Sequence, residues 1–209
     1  MASAIIHLAV AKEVEKKIKQ VSNEYDYYLG SIAPDLAKQI GYSREDSHFI
    51  KNSLKEDVPN IKLFELKYPN FRENSYDLGY YTHLYTDKEW FDGFLDTITY
   101  DNSIRLLDGT IIASSSDEIR QLIYSDYTNL NIKIIEEYDL DLSLFYDPFK
   151  EPKTTIEEIP TDKLDILINK MGIIIENSKD EKTYSLDIEQ IKNFINETAD
   201  KIVKELDIL

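Results

Sequence analysis

The segment Gly79-Tyr80-Tyr81-Thr82-His83-Leu84-Tyr85-Thr86-Asp87 lies near the middle of the chain. His83 and Asp87 are four residues apart, so on a helix their side chains lie one turn above each other and can bind the same cation. The helix face that carries them is rich in aromatic residues, and its members are Tyr76, Tyr80, His83, Asp87, Trp90 and Phe94. Burial of polar groups among aromatic side chains costs free energy unless a strong partner compensates. The segment therefore predicts a cation site on a helix.

The composition is that of a globular protein, and the length of 209 residues predicts a single domain spanning 1–209. Apolar residues make up 42% of the chain and charged residues 31%. The formal net charge of −16 argues against nucleic-acid or anionic-membrane binding that is driven by charge. Because the chain contains no cysteine, any metal must be held by nitrogen and oxygen ligands.

Targeting signals are absent from the sequence pattern. The N-terminal stretch Met1–His7 lacks the charged start and long apolar run of a secretory signal. No stretch approaches the roughly 18 uncharged apolar residues that a membrane helix needs. These observations predict a cytoplasmic protein without a transmembrane segment.

Hydrophobic periodicity and the scarcity of glycine and proline, six of each, predict an all-α bundle of several helices. Ser43 is a predicted N-cap for a helix that carries His48, and Phe145–Phe149 is interpreted as a hydrophobic plug. The predicted helices cover about 5–21, about 75–97, Ser115 or Ser116 to Tyr124, about 129–138, Thr161 to about Glu176, and a last helix capped by Ser185. The predicted irregular segments are a loop over Leu29–Asp35, a loop or hairpin at 101–113, and a long loop at 139–152.

Each candidate ligand also has a structural interpretation. His83 and Asp87 fit a helix salt bridge to a lysine, Asp35 fits a helix N-cap, and His7 and His48 fit core histidines with hydrogen-bond partners. One metal site explains all of these residues together, whereas the structural interpretations need four separate coincidences. Imidazole and carboxylate ligands suit Zn²⁺, with Fe or Mn²⁺ as alternatives. Asp87 could bridge to a second ion that also uses His7.

Four short segments in the first half of the chain resemble the zinc-dependent phospholipase C family, which is related to the single-strand-specific zinc nucleases. They are His7-Leu8-Ala9-Val10-Ala11, Leu29-Gly30-Ser31-Ile32-Ala33-Pro34-Asp35, Ser47-His48-Phe49, and Gly79 to Asp87 with Trp90 after it. They occur in the order that the family has, with compatible gaps. Beyond about Phe94 no resemblance is found.

The resemblance implies a phospholipase C/nuclease-like helical bundle with a metal-lined cleft. Its implied ligands for one ion are Asp35, His48, His83 and Asp87, and for a second ion His7 with bridging Asp87. It also implies that Asp35 acts as a catalytic general base. Relatives with three zinc ions use further downstream histidines, which this chain lacks. A third site would therefore be absent or made of carboxylates, with Glu136, Glu137, Asp139 and Asp141 as candidates.

The 15 tyrosines allow two interpretations. Tyr76 and Tyr80, which flank the predicted site, are candidates for substrate binding through their hydroxyl groups. The favoured alternative is that they are amphipathic packing residues.

The leading hypothesis is a metal-dependent hydrolase of a phosphoester, either a small molecule or a lipid, that uses metal-activated water. The first alternative is a non-catalytic relative that retains a structural or sensory metal site. The second alternative is an acidic helical interaction protein without a metal.

Overall fold

The computed structural model describes residues 2–51, 53 and 57–208. Its central element is helix α6, Ser75–Glu89, which continues through a π-helical turn at Trp90–Phe94 into α7, Leu95–Ile98. The Asn74 side chain caps α6 by accepting a hydrogen bond from the backbone N–H of Asp77. The helix predicted over 75–97 is confirmed.

Two helices from the N-terminal part pack around α6. Helix α1, Ala4–Glu15, is capped by Ser3, and helix α2, Glu24–Ile32, is capped by Asn23. The prediction that α1 reaches residue 21 is wrong. After Glu15 most residues are exposed and only Ile18 and Val21 are partly buried, so a longer helix would have had little apolar surface to bury.

The loop predicted over Leu29–Asp35 is wrong, because α2 runs to Ile32 and a 3-10 turn covers Ala33–Asp35. The glycine in this segment serves helix packing. A Cβ at Gly30 would lie 2.1 Å from the carbonyl oxygen of Tyr76, and a Cβ at Gly79 would lie 2.1 Å from that of Tyr27. Glycine therefore lets the backbones of α2 and α6 approach each other directly.

The remaining elements follow in chain order. The helices are α3 Leu36–Ile40, α4 Arg44–Ser47, α5 Ile61–Lys67, α8 Ser116–Glu137, α9 Ser143–Tyr146, α10 Leu164–Glu176 and α11 Ile188–Ile208. Further 3-10 turns lie at Phe71–Glu73 and Thr161–Lys163. The strands are β1 Thr99–Tyr100, β2 Ser103–Arg105 and β3 Ile111–Ala113. They form an antiparallel sheet in the order β1-β2-β3, which confirms the hairpin alternative for 101–113.

Several predicted helix boundaries in the second half need correction. Ser115 caps α8 through a capping box with Glu118, but α8 is one helix where two were predicted. Thr161 begins a 3-10 turn, and α10 starts only at Leu164. Ser185 does not begin the last helix. Its hydroxyl donates to the buried carboxylate of Asp126, and α11 starts at Ile188.

The hydrophobic core is one continuous cluster that reaches from Ala2 in the N-terminal segment to Leu206 in α11. Phe145 is buried beside α10, as the plug interpretation predicts. The mostly helical architecture confirms the all-α class. Across 2–51, 53 and 57–208, no helix combines the length and the apolarity that crossing a membrane would require.

Candidate metal centre

Five side chains from four places in the fold meet beside α6. His83 and Asp87 lie on α6, His7 on α1, Asp35 in the 3-10 turn after α2, and His48 directly after α4. All five are buried, and the most exposed of them, Asp35, retains 6% of its surface. The structure therefore brings together every metal ligand predicted from the sequence.

The first group of ligand atoms comes from Asp35, His48 and His83. One atom from each of these side chains lies within 4.8 Å of the other two. Nε2 of His83 is 3.3 Å from Nε2 of His48, which in turn is 3.5 Å from Oδ1 of Asp35. Two nitrogens and one oxygen thus face a common point, as the ligands of a cation do.

The second group contains His7, His83 and Asp87, again with one atom of each within 4.8 Å of the others. The two oxygens of Asp87 face different sides. Oδ1 is 3.4 Å from Nε2 of His7, whereas Oδ2 is 3.8 Å from Nε2 of His48 and 3.9 Å from that of His83. This arrangement is the one expected of a carboxylate that bridges two ions.

The hydrogen bond at Nδ1 of His83 directs the other ring nitrogen, Nε2, toward Nε2 of His48 at 3.3 Å. Nδ1 lies 2.9 Å from the carbonyl oxygen of Ser31, and because that oxygen can only accept, Nδ1 carries the proton. Burial lowers the pKa of His83 to about 3, so its imidazole is neutral at pH 7 and Nε2 presents a lone pair. In the same way, Nδ1 of His48 pairs with Oγ of Ser47 at 2.8 Å. Such outer contacts orient metal-binding imidazoles.

Both carboxylates of the cluster are ionised. Burial by itself would raise the pKa of Asp35, but the contact with His48 outweighs burial and lowers the pKa below its usual value. Burial would raise the pKa of Asp87 too, but nearby positive charge and the contact with His7 outweigh burial and lower the pKa well below its usual value. Two buried negative charges favour a bound cation.

Several atoms of the cluster lack the partners that buried polar groups normally have. Within the described ranges, the two ring nitrogens of His7 and Oδ1 of Asp35 make no hydrogen bond. The His7–Asp87 contact at 3.4 Å is close enough for an ion pair but does not have hydrogen-bond geometry. The ring of His7 stacks on that of His83 with centroids 3.9 Å apart. Since unpaired buried atoms are costly, these residues fit a metal that would pair with them.

The structural interpretation fits His48, whose ring nitrogens have partners in Oγ of Ser47 and Nε2 of His83. It fits the other residues less well. Asp35 is at the N-cap position of α3, yet its side chain makes no capping hydrogen bond in the described chain. His7 is not a core histidine with hydrogen-bond partners. Among the described residues Asp87 contacts Arg44 and no lysine, and the neighbouring Lys88 pairs with Glu89.

Sequence reasoning missed two groups at this site. Nη2 of Arg44 lies 3.4 Å from Oδ2 of Asp87, while Nη1 lies 2.5 Å from Oδ1 of Asp57. The backbone N–H of Ala2 donates to Oδ1 of Asp87 at 3.1 Å. Arg44 precedes His48 by four residues, and that spacing was the available signal. Nothing in the sequence indicates the backbone contact.

The tyrosines beside the site belong to the core. Tyr76 and Tyr80 are fully buried, and the hydroxyl of Tyr80 donates to the carbonyl oxygen of Ser47. Burial raises the pKa of both phenols well above the usual value. These positions match the packing interpretation. The acids considered for a third ion, Glu136, Glu137, Asp139 and Asp141, are all exposed, and none joins either ligand group in the described part of the chain.

Comparison of the chain with protein-family models, with curated proteins and with solved structures gives no match. The resemblance to the zinc-dependent phospholipase C family therefore stays a prediction from four short segments. The structure itself shows that three imidazoles and two carboxylates are buried close together among the described residues.

Proposed function

We propose that this protein is a metal-dependent hydrolase of a phosphoester. One observation carries the proposal. The buried cluster of His7, Asp35, His48, His83 and Asp87 contains two ionised carboxylates and, among the described atoms, nitrogens and an oxygen without protein partners.

Each of the two groups of ligand atoms is proposed to hold one metal ion. Asp35, His48 and His83 would hold one ion, and His7 with Asp87 would hold a second, with Asp87 placed between the two groups. Zn²⁺ suits these ligands best, and Fe or Mn²⁺ suits them as well. A divalent cation here would supply Lewis acidity, which lowers the pKa of water and stabilises negative charge on phosphoryl oxygens.

Asp35 is the residue we assign to proton transfer. Its carboxylate is ionised at neutral pH, and its Oδ1 makes no hydrogen bond among the described residues. In the proposed reaction a water oxygen bonds to phosphorus while the bond from phosphorus to the leaving oxygen breaks. Asp35 accepts the proton of the water, and the leaving oxygen takes a proton from solvent.

Arg44 is assigned to phosphate binding. Its side chain is 24% exposed and reaches from solvent to Asp87 in the buried cluster. The planar guanidinium matches the oxygens of a phosphate and keeps its charge at every working pH. Arg44 would therefore orient the phosphoester and lower the barrier by neutralising its charge.

The test combines metal analysis with turnover of bis(p-nitrophenyl) phosphate, using protein purified without chelator. We expect one to two zinc ions per chain, and hydrolysis that Asp87→Asn and His83→Gln reduce at least ~1,000-fold together with metal content. The matched control is Asp77→Asn on the same helix. Asp77 is equally buried, but its carboxylate accepts hydrogen bonds from Thr154 and Thr155, so this variant should keep its metal.

Undiminished hydrolysis in the metal-free Asp87→Asn protein would refute the proposal. Stoichiometric metal without turnover of any phosphoester would instead support a structural or sensory metal site. Protein without metal, even after purification with added zinc, would favour an interaction protein.

A further inference from the structure

A cavity of about 260 Å³ adjoins the candidate metal centre. Its walls come from the N-terminal segment and from helices α3, α8 and α10. Asp35 lines it directly, and so does Ala2, whose backbone N–H contacts Asp87. A molecule in this cavity would therefore touch the ligand cluster at one end.

The size and the walls of the cavity limit what can enter it. Ile5, Met171 and Ile174 contribute apolar surface. The volume of about 260 Å³ lies just below the range of about 300–1,000 Å³ found for pockets that enclose drug-sized ligands. A compact organic group fits this space, which is too small to enclose the two acyl chains of a phospholipid.

The charge at the cavity is opposite to that of the whole protein. Lys38 and Lys170 both line it, and Asp35 is the one acidic residue among the described lining residues. The Lys38 ammonium lies 5.6 Å from the centroid of the Tyr124 ring, and Lys170 donates to Gln39. Neither lysine forms an ion pair with a described carboxylate. In a chain with a net charge of −16, this local positive charge favours an anionic ligand.

We propose that the substrate is a small soluble phosphoester whose organic group is compact and mostly apolar. The organic group occupies the cavity, while the phosphate lies at the Asp35 end, with Lys38 and Lys170 attracting the anion. This inference rests on the proposed hydrolase function for its reaction, and on the cavity alone for its binding site.

The binding test uses the two methionines of the chain. Because Met171 lines the cavity, protein labelled with ¹³C at the methionine methyls gives a direct signal of occupancy. The probes are benzylphosphonate and 3-hydroxybenzylphosphonate, whose carbon–phosphorus bond does not hydrolyse, so binding is measured apart from turnover. We expect both to shift the Met171 signal.

One pair of variants sharpens the result. Ile174→Trp should fill the cavity and weaken both probes at least ~10-fold. Its control is Ile173→Trp, which lies on the same helix, is 59% exposed and does not line the cavity among the described residues.

The outcomes separate the two proposals. If the probes leave the Met171 signal unchanged, or if Ile174→Trp and Ile173→Trp bind them equally, the cavity is not the substrate site, whatever the turnover shows. Tighter binding of short-chain dihexanoyl phosphatidylcholine than of the phosphonates would also overturn the inference in favour of a lipid. A shifted Met171 signal with no phosphoester hydrolysis would instead refute the hydrolase and leave the binding site standing.

Discussion

Asp126 on α8 and Asp87 on α6 are both fully buried, but the fold supplies their carboxylates with very different sets of hydrogen-bond donors. The carboxylate of Asp126 accepts hydrogen bonds from the backbone N–H groups of Tyr184, Ser185 and Leu186, and from the hydroxyl of Ser185 at 2.7 Å. These donors all come from the segment before α11. Asp126 therefore anchors the last helix to α8.

Asp87 has a more open set of neighbours. It accepts one backbone hydrogen bond, from Ala2, and faces the imidazole of His7, whose nitrogens lack hydrogen-bond partners in the described chain. Its second oxygen faces Arg44 and two further imidazoles. Burial alone thus does not mark a functional acid. What distinguishes the two aspartates is whether the protein itself supplies enough donors, because a saturated carboxylate has no capacity left for a ligand.

The largest expected effect is the loss of stability when Asp126 is replaced. Asp126→Ala leaves three backbone N–H groups and one hydroxyl without their acceptor, and each buried orphan costs about 1–3 kcal/mol. We expect the free energy of unfolding to fall by about 4–5 kcal/mol, measured by urea denaturation, with and without zinc. Metal content per folded chain should stay unchanged.

The same measurement on Asp87→Asn should give the opposite pattern. The amide oxygen of this variant can still accept from the N–H of Ala2, so the metal-free protein should lose less than about 1.5 kcal/mol, while metal binding is lost. Equal destabilisation by Asp126→Ala and Asp87→Asn in metal-free protein would remove the distinction between an anchor and a ligand site.

The next effect concerns the glycine that brings α2 against α6. A Cβ at Gly79 would meet the backbone of Tyr27 at 2.1 Å and the backbone nitrogen of Ser31 at 2.9 Å. Because the carbonyl of Ser31 orients His83, Gly79→Ala should weaken metal binding and also lower stability by about 3 kcal/mol. Thermal unfolding and zinc titration measure the two effects.

Gly93→Ala is the matched control for that substitution. Gly93 lies further along the same helical segment, and a Cβ there would meet no described heavy atom within 4 Å. Its stability should therefore be unchanged or slightly higher, since alanine restricts the unfolded chain. If both glycine variants behave alike, close backbone contact does not position His83.

Zinc itself should produce a smaller gain. A ligand that binds only the folded state stabilises it by about 2.7 kcal/mol at 100 times its dissociation constant. For a chain of 209 residues that corresponds to a rise in Tm of roughly 5–10 °C, which chelator should reverse. Asp126→Ala should show the same rise from a lower starting Tm, and Asp87→Asn should show none.

The sequence predicts the metal ligands better than it predicts the elements that carry them. The spacing of His83 and Asp87 and the order of the short segments bring all five ligands to one place, which is the place where the structure has them. Local patterns were misleading where a tertiary contact decides the outcome. Gly30 suggests a loop by propensity, but it is helical because the Tyr76 backbone packs against it.

Two further features depend on contacts that no local pattern carries. Ser185 has the composition of an N-cap, yet its hydroxyl donates to Asp126, 59 residues away in sequence. The cavity beside Asp35 is formed by α3, α8, α10 and the N-terminal segment together. Its existence follows from how these helices pack, which the periodicity of any one of them does not specify.

The smallest expected effect concerns Glu158, a carboxylate whose two oxygens both accept hydrogen bonds from protein donors. It accepts hydrogen bonds from the Tyr68 hydroxyl at 2.6 Å and from Lys67. Burial, together with the hydrogen bond to Glu158, raises the pKa of Tyr68 to about 12. Tyr68 therefore contributes stability that is fully present below pH 10 and is lost as the pH rises toward 12, because the unfolded chain releases the proton first.

Solvent screening limits this contribution to about 1 kcal/mol. We expect the stability difference between the native protein and Tyr68→Phe to be constant from pH 7 to pH 9 and to shrink by that amount by pH 12. Urea unfolding at each pH measures it, and zinc should leave the difference unchanged, because Glu158 is saturated by protein donors. A zinc-dependent difference would mean that saturation does not separate structural acids from metal ligands in this fold.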